Sequence, residues 1–338
     1  MYKMCDNMFR VRNNGLDLKF ISKQDKNLCI SAVRQNGLAL RYVIKQNEEI
    51  CREAIQQNYR AMAHVNGKFK TLKMCRFAVG INGNALQWVN RKKDDICEIA
   101  ILKNPEAIRF IKYPEFNLCF IAVKNNPDML QYVAIQSLKM CKIATKKNGA
   151  MLEFVIDCYK IPIVCKNAVK NCGLALKYVP KRHITPNMCL DAINENGMAI
   201  QYVPKHYITP NICYKAVENC GLALMFIDTQ SDDLCIKAVE QCGMALKYVI
   251  YQTHMICNMA VETDPMAIQL VKPYLQTESM CMKCLSQDMS MIFYISLRTE
   301  KIVSWMINNY LVDLVGDKIM TKKIYENLVR KGGLFINV

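Results

Sequence analysis

The sequence has no unbroken apolar run of the roughly 18 residues that a membrane-spanning helix needs. Its first residues, MYKMCDNMFRVRNN, lack the apolar block and small-residue cleavage site of a secretory leader. A soluble, intracellular chain with no membrane partner is therefore expected, in the cytoplasm. Histidine is scarce: His64, His183, His206 and His254 are too scattered to assemble a nucleophile–base set. No G-x-x-x-x-G-K-[ST] phosphate loop, H-E-x-x-H or G-x-S-x-G occurs. Metal-binding spacing is lacking too, since Cys281 and Cys284 form a C-x-x-C with no second pair to complete a zinc site. These absences argue against an enzyme and predict no catalytic residues, no metal and no cofactor.

What is present is a ruler. From Cys29, an Ala-Val pair follows at three and four residues, Asn-Gly at seven and eight, Ala-Leu at ten and eleven, and Tyr-Val at thirteen and fourteen. Cysteine recurs at 29, 51, 75, 97, 119, 141, 165, 189, 213, 235, 257 and 281, in steps of 22 or 24, always after an apolar residue. Asn7 holds the first, degenerate position, and the phase continues to Val303 and Tyr325, with Leu328, Val329 and Ile336 fitting the second. Regular self-similarity of this length predicts an all-α solenoid, of either hand, with about 13–15 helix-pair repeats of 22–24 residues. Residues 1–295 form the array, with units starting near Asn7, Cys29, Cys51, Cys75, Cys97, Cys119, Cys141, Cys165, Cys189, Cys213, Cys235, Cys257 and Cys281. Residues 296–338 are expected to be degenerate repeats forming a C-terminal cap. A leucine-rich repeat has an overlapping period, but its L-x-x-L-x-L-x-x-N core is missing.

The residue types explain the two helices. Apolar positions before the cysteine, at it, and three and four residues on share one helical face. A second cluster at ten, eleven, thirteen and fourteen fits another. Between them stands Asn36-Gly37, replaced by Asn104-Pro105, Asn126-Pro127 and Asp264-Pro265 elsewhere. A site that takes Gly or Pro is no obligatory left-handed turn; it reads as an N-cap followed by the first residue of the second helix. Cys172, Cys220 and Cys242 replace the cap and should weaken it. The two extra residues of the longer steps belong in the connection back to the next unit. The phased cysteines read as small core residues, because equivalent positions on stacked helices lie roughly 8–10 Å apart, beyond the about 7 Å reach of a disulfide. Ala168 and Cys165 are expected at the joint between units and Leu176 between the helix layers, with Lys170 outside. The aromatics thirteen residues after each cysteine, such as Tyr42, Phe110 and Tyr178, read as core rather than as a base-stacking ladder.

The segments NGLALRYV, NGNALQWV, CGLALKYV, NGMAIQYV and CGMALKYV, each after an A-V or A-I helix, resemble the repeats of a family known only as domain of unknown function 4116. The resemblance runs from about Asn7 to Ile295. It implies a helical repeat fold and no activity or ligand. Such repeats occur in bacteria, protists and the giant DNA viruses of amoebae, and the Asn-, Lys-, Ile- and Tyr-rich usage here is most similar to the viral members, which implies host-cell cytoplasm or virion.

Charge is the remaining signal. The net charge is +16, of which residues 1–112 carry +11, 113–227 carry +6 and 228–338 carry −1. Five residues after the cysteine stand Lys124, Lys146 and Lys170, then Glu218, Glu240 and Glu262, a candidate interaction stripe that changes sign. The expected function is a non-enzymatic scaffold for protein–protein interaction. Nucleic-acid binding through the basic N-terminal two-thirds is the alternative.

Overall fold

In the computed structural model, which describes residues 2–309, the chain is an all-α repeat solenoid with no strand among the described residues. The repeat beginning at Asp25 shows how the local sequence builds it. The Asp25 side chain accepts the Leu28 N–H at 2.8 Å and starts the helix Lys26–Gln35. Asn36 ends that helix, its N–H returning to the Ala32 carbonyl at 2.9 Å. The same Asn36 caps the second helix of the repeat, its Oδ1 accepting the Leu38 N–H at 3.1 Å. One residue thus closes one helix and opens the next, as the Asn-Gly and Asn-Pro alternation predicts. Cys172, Cys220 and Cys242 hold that position without a side-chain cap bond.

The second helix departs from expectation. Gly37–Tyr42 is a six-residue 3-10 helix, closed by the Val43 N–H on the Leu40 carbonyl at 3.1 Å, and its counterparts recur through to Met289–Tyr294. With so few residues between two caps, i→i+3 bonding leaves fewer backbone groups unsatisfied than an α-turn would. Three residues per turn put Gly37, Leu40 and Val43 in one row, and all three are buried. Tyr42 falls on a flanking row and stays half-exposed. The aromatics are therefore not core: Tyr178 and Phe226 are also half-buried, and Tyr132 and Phe154 are exposed. The 24-residue steps carry their extra residues in the connection, as expected, and each gains a three-residue 3-10 turn there: Gly67–Phe69, Asp157–Tyr159, Lys181–His183, Lys205–Tyr207 and Pro273–Leu275.

The chain divides into two compact units, residues up to Asn171 and residues from Cys172 onward. Within each, successive helices pack on one another in sequence order. The core is the expected set: Leu28, Cys29, Ala32, Val33, Ala39 and Leu40 in one repeat, and their equivalents in the others. Ala168, Cys165 and Leu176 are buried and Lys170 is exposed. Glycine has a reason that the sequence reading missed. A Cβ on Gly37 would overlap the Ala54 carbonyl oxygen of the next repeat, and one on Gly221 would overlap that of Ala238. Glycine is required for close approach, not for a left-handed turn. Where Tyr59, Pro105, Pro127 or Pro265 takes the position, packing onto the next repeat is thinner. Val303 takes the cysteine position in the helix Glu300–Asn308 and is buried with Ile302 and Met306. The expected unit at Tyr325 lies outside the described residues.

Candidate interaction surfaces

The interior has a hydrogen-bonding system that fixes what remains available outside. Glutamine recurs five residues before the cysteine at Gln24, Gln46, Gln136, Gln230, Gln252 and Gln276. The Gln46 amide donates to the carbonyls of Leu40 (3.3 Å) and His64 (2.9 Å), and its Oε1 accepts the Asn66 N–H at 2.8 Å. It therefore clasps the connection of its own repeat to that of the next. The Cys51 thiol completes the set, donating to Gln46 Oε1 at 3.6 Å. Cys141 does the same to Gln136 at 3.4 Å, while Cys165, in a repeat without the glutamine, donates to the Lys160 carbonyl at 3.4 Å. A buried residue here must be small and apolar and still offer a weak donor, and cysteine meets all three needs. A second clasp joins the helices: the Gly37 N–H donates to Gln57 Oε1 at 2.6 Å and the Gly221 N–H to Gln241 Oε1 at 2.8 Å. Both glutamine positions recur on the ruler, which could have revealed them.

Burial pushes the thiols of Cys51, Cys141, Cys165 and Cys257 up to about 11. They are inert as nucleophiles near neutral pH. Among the described residues no cluster of His, Cys, Asp or Glu could hold a metal ion, and no helix is long and apolar enough to cross a membrane.

The stripe residues are all exposed, each in the last turn of its α-helix. Lys124, Lys146 and Lys170 belong to the first unit and Glu218, Glu240 and Glu262 to the second. Lysine in a last turn complements the helix dipole; glutamate there opposes it by a few tenths of a kcal/mol. Within their own helices Glu240 lies 3.6 Å from Lys237, and Glu262 accepts from the Asn258 amide at 2.8 Å. Beside Lys146, an open groove of about 580 Å³ is lined by Leu138, Lys139, Lys142, Ile143, Lys146 and Asn167.

The rim formed by the end of each 3-10 helix and the start of the connection after it is a different surface. In the first five repeats it comprises residues 19–24, 41–46, 63–68, 87–92 and 109–114, with nine Lys and Arg and no Asp or Glu. All nine cations are exposed. Arg41 lies 4.7 Å over the Tyr42 ring, Arg109 4.7 Å over Phe110 and Lys19 4.4 Å over Phe20. His64, at the aromatic position of its repeat, is pushed below its ordinary value by burial and by Arg41 and Lys70. Acidic residues begin at the next helix N-terminus, where they pair with helix cations: Asp95 with Arg76 at 2.6 Å and Glu49 with Lys26 at 2.5 Å.

The family model described as "Domain of unknown function (DUF4116)" matches residues 8–46, 25–70 and 164–208, each match covering about two repeats. No curated protein and no solved structure matches the chain. These three matches support that family for the repeats they cover, and its description names no activity.

Proposed function

We propose that the chain is a non-enzymatic scaffold that presents its repeat surface to a protein partner. The contrast between the two sides of each repeat carries this reading. Buried apolar positions barely vary, and where the glutamines occur their polar atoms are consumed by the clasps that hold the stack. Outward positions change from repeat to repeat. The groove beside Lys146 sets Leu138 and Ile143 among three lysines, which suits an acidic segment with apolar anchors. The full chain should retain such a partner from native-cell extract, and the variant Lys124→Glu, Lys146→Glu, Lys170→Glu should release it. Recovery of no partner, or of the same partner by both chains, would overturn the assignment.

Nucleic-acid binding through the basic first two-thirds is the second reading, favoured by the cation-stacked rings on the rim. On either reading the chain works in the cytoplasm. If it is a viral member of its family, as its residue usage suggests, the setting is an infected host cell or a virion.

A further inference from the structure

We propose that the rim of the first five repeats is a track for a single-stranded polynucleotide, with phosphates held by its cations and bases stacked on its rings. The inference rests on the nucleic-acid reading and gives it a surface and a strandedness.

Three independent observations converge. The first is where the charge sits. Nine cations without a single acid occupy the five rim segments, although the chain as a whole has 45 Lys and Arg against 29 Asp and Glu. A compositional excess of lysine would spread over all repeat positions; this excess follows one. The second is pairing. On the helices of the same unit, Lys26, Arg34 and Arg76 are bonded to Glu49, Glu53 and Asp95 of the next repeat. Among the described residues, none of the nine rim cations has a carboxylate partner. A row of like charges repels itself and persists only at a cost to stability, so a polyanion is the occupant that it fits. The third is the rings. Phe20 is 65% exposed, and Tyr42, Trp88 and Phe110 are half-buried rather than core.

Continuity of the track follows from the clasps and from the packing of successive 3-10 helices. Gln24 donates to the carbonyls of Ile21 (3.1 Å) and Tyr42 (2.9 Å), and its Oε1 accepts the Ile44 N–H at 3.0 Å. Gln46 repeats this between the second and third repeats. These clasps lay the rings and cations of the first three repeats side by side; from the third to the fifth, where Lys70 and Lys92 replace the glutamine, the 3-10 helices Tyr59–His64, Gly83–Trp88 and Pro105–Phe110 pack on one another in order. Charge alone would hold any polyanion. The rings select a strand with open base faces, because pairing in a duplex hides those faces. Neither interaction reads the sugar, so RNA and DNA strands should both bind.

The test uses the full chain and labelled oligouridylate and oligothymidylate of about 20 nucleotides. Both should bind, more tightly than a duplex of equal length by on the order of tenfold. The variant Arg41→Gln, Lys45→Gln, Arg109→Gln should reduce the slope of log K against log salt by about 2, at about 0.7 per phosphate contact. Removing three exposed helix lysines, Lys103→Gln, Lys166→Gln, Lys283→Gln, should leave the slope unchanged. Trp88→Ala should weaken binding about tenfold at constant slope. Failure of the unaltered chain to bind either strand would remove the nucleic-acid reading and this inference with it. If the chain binds but the two triple variants lose equally, the reading stands and the rim is the wrong surface. Equal affinity for the duplex would likewise overturn the stacked strand.

Discussion

The two compact units differ sharply in charge and hardly at all in construction. The first, up to Asn171, holds 29 Lys and Arg against 14 Asp and Glu; the second holds 16 against 15. Along the rims the contrast disappears. With residues 131–136 and 153–158 added, the seven rim segments of the first unit carry nine cations and two acids, Glu153 and Asp157; the six of the second (177–182, 201–206, 225–230, 247–252, 269–274 and 293–298) carry seven cations and one acid, Asp228. Everything that changes sign lies elsewhere in the repeats, largely on the α-helix faces where Lys124 and Lys146 give way to Glu218 and Glu240. Charge summed along the chain therefore mixes two surfaces: a rim that stays basic in each unit and a helix face free to diverge. A common interior allows this, because clasps and glycine joints of the same kind recur in both units and use none of the stripe side chains.

If the interior is common, stress applied to it should act on both units alike. The largest effect should come from alkaline pH. Burial raises Cys29, Cys51, Cys141 and Cys165 in the first unit to about 11. It does the same to Cys189, Cys257, Cys281 and Cys284 in the second. In the unfolded chain an ordinary thiol loses its proton near 9.0. These groups are raised by folding, so the stability they contribute is full below about pH 9 and is lost as pH rises toward 11. Thermal melts followed by circular dichroism at fixed ionic strength should show one transition moving down between pH 9 and 11. A second transition splitting off in that window would break the parallel between the units.

Next in size is the glycine joint. Gly37→Ala and Gly221→Ala each drive a methyl into a carbonyl of the next repeat and should cost on the order of 1–3 kcal/mol by urea denaturation. Matching values would sharpen the comparison, and a negligible cost in either unit would show that its joint is loose. The glutamine clasp comes third. Gln46→Ala strands the His64 carbonyl and the Asn66 N–H, and Gln252→Ala strands the Leu270 carbonyl and the Lys272 N–H. Each should cost about 1–2 kcal/mol, with hydrogen exchange quickening first in the two repeats that the clasp joins. Least affected should be the helix faces: Lys146→Ser and Glu218→Ser should each stay within about 0.5 kcal/mol. A larger loss from Glu218→Ser would mean that the acidic face has a structural task.

Much of the fold was legible in the residues. The cap at Asn36, the buried Cys29, Ala32 and Leu40, and the connection that absorbs two extra residues all follow from spacing and side-chain chemistry. The candidate surfaces were legible only in part. Lys124 and Glu218 were found because they share one ruler position on an exposed turn. The rim was missed because Tyr42 and Phe110 share an α-helical face with apolar neighbours, and three residues per turn rotates them off it. The Gln46 clasp was missed because its partners, His64 and Asn66, stand 18 and 20 residues away in the next repeat.

By itself the sequence determined the repeat: its length, its two helices, their caps and their buried side chains. Those are local matters, set by periodicity, burial and hydrogen bonds within about 22 residues. Only the tertiary structure decided what each repeat does to the next. Whether the second helix is α or 3-10, why Gly37 cannot be alanine and where Tyr42 comes to rest all depend on how closely the neighbouring backbone approaches. That distance is a property of stacked repeats, which no single repeat encodes.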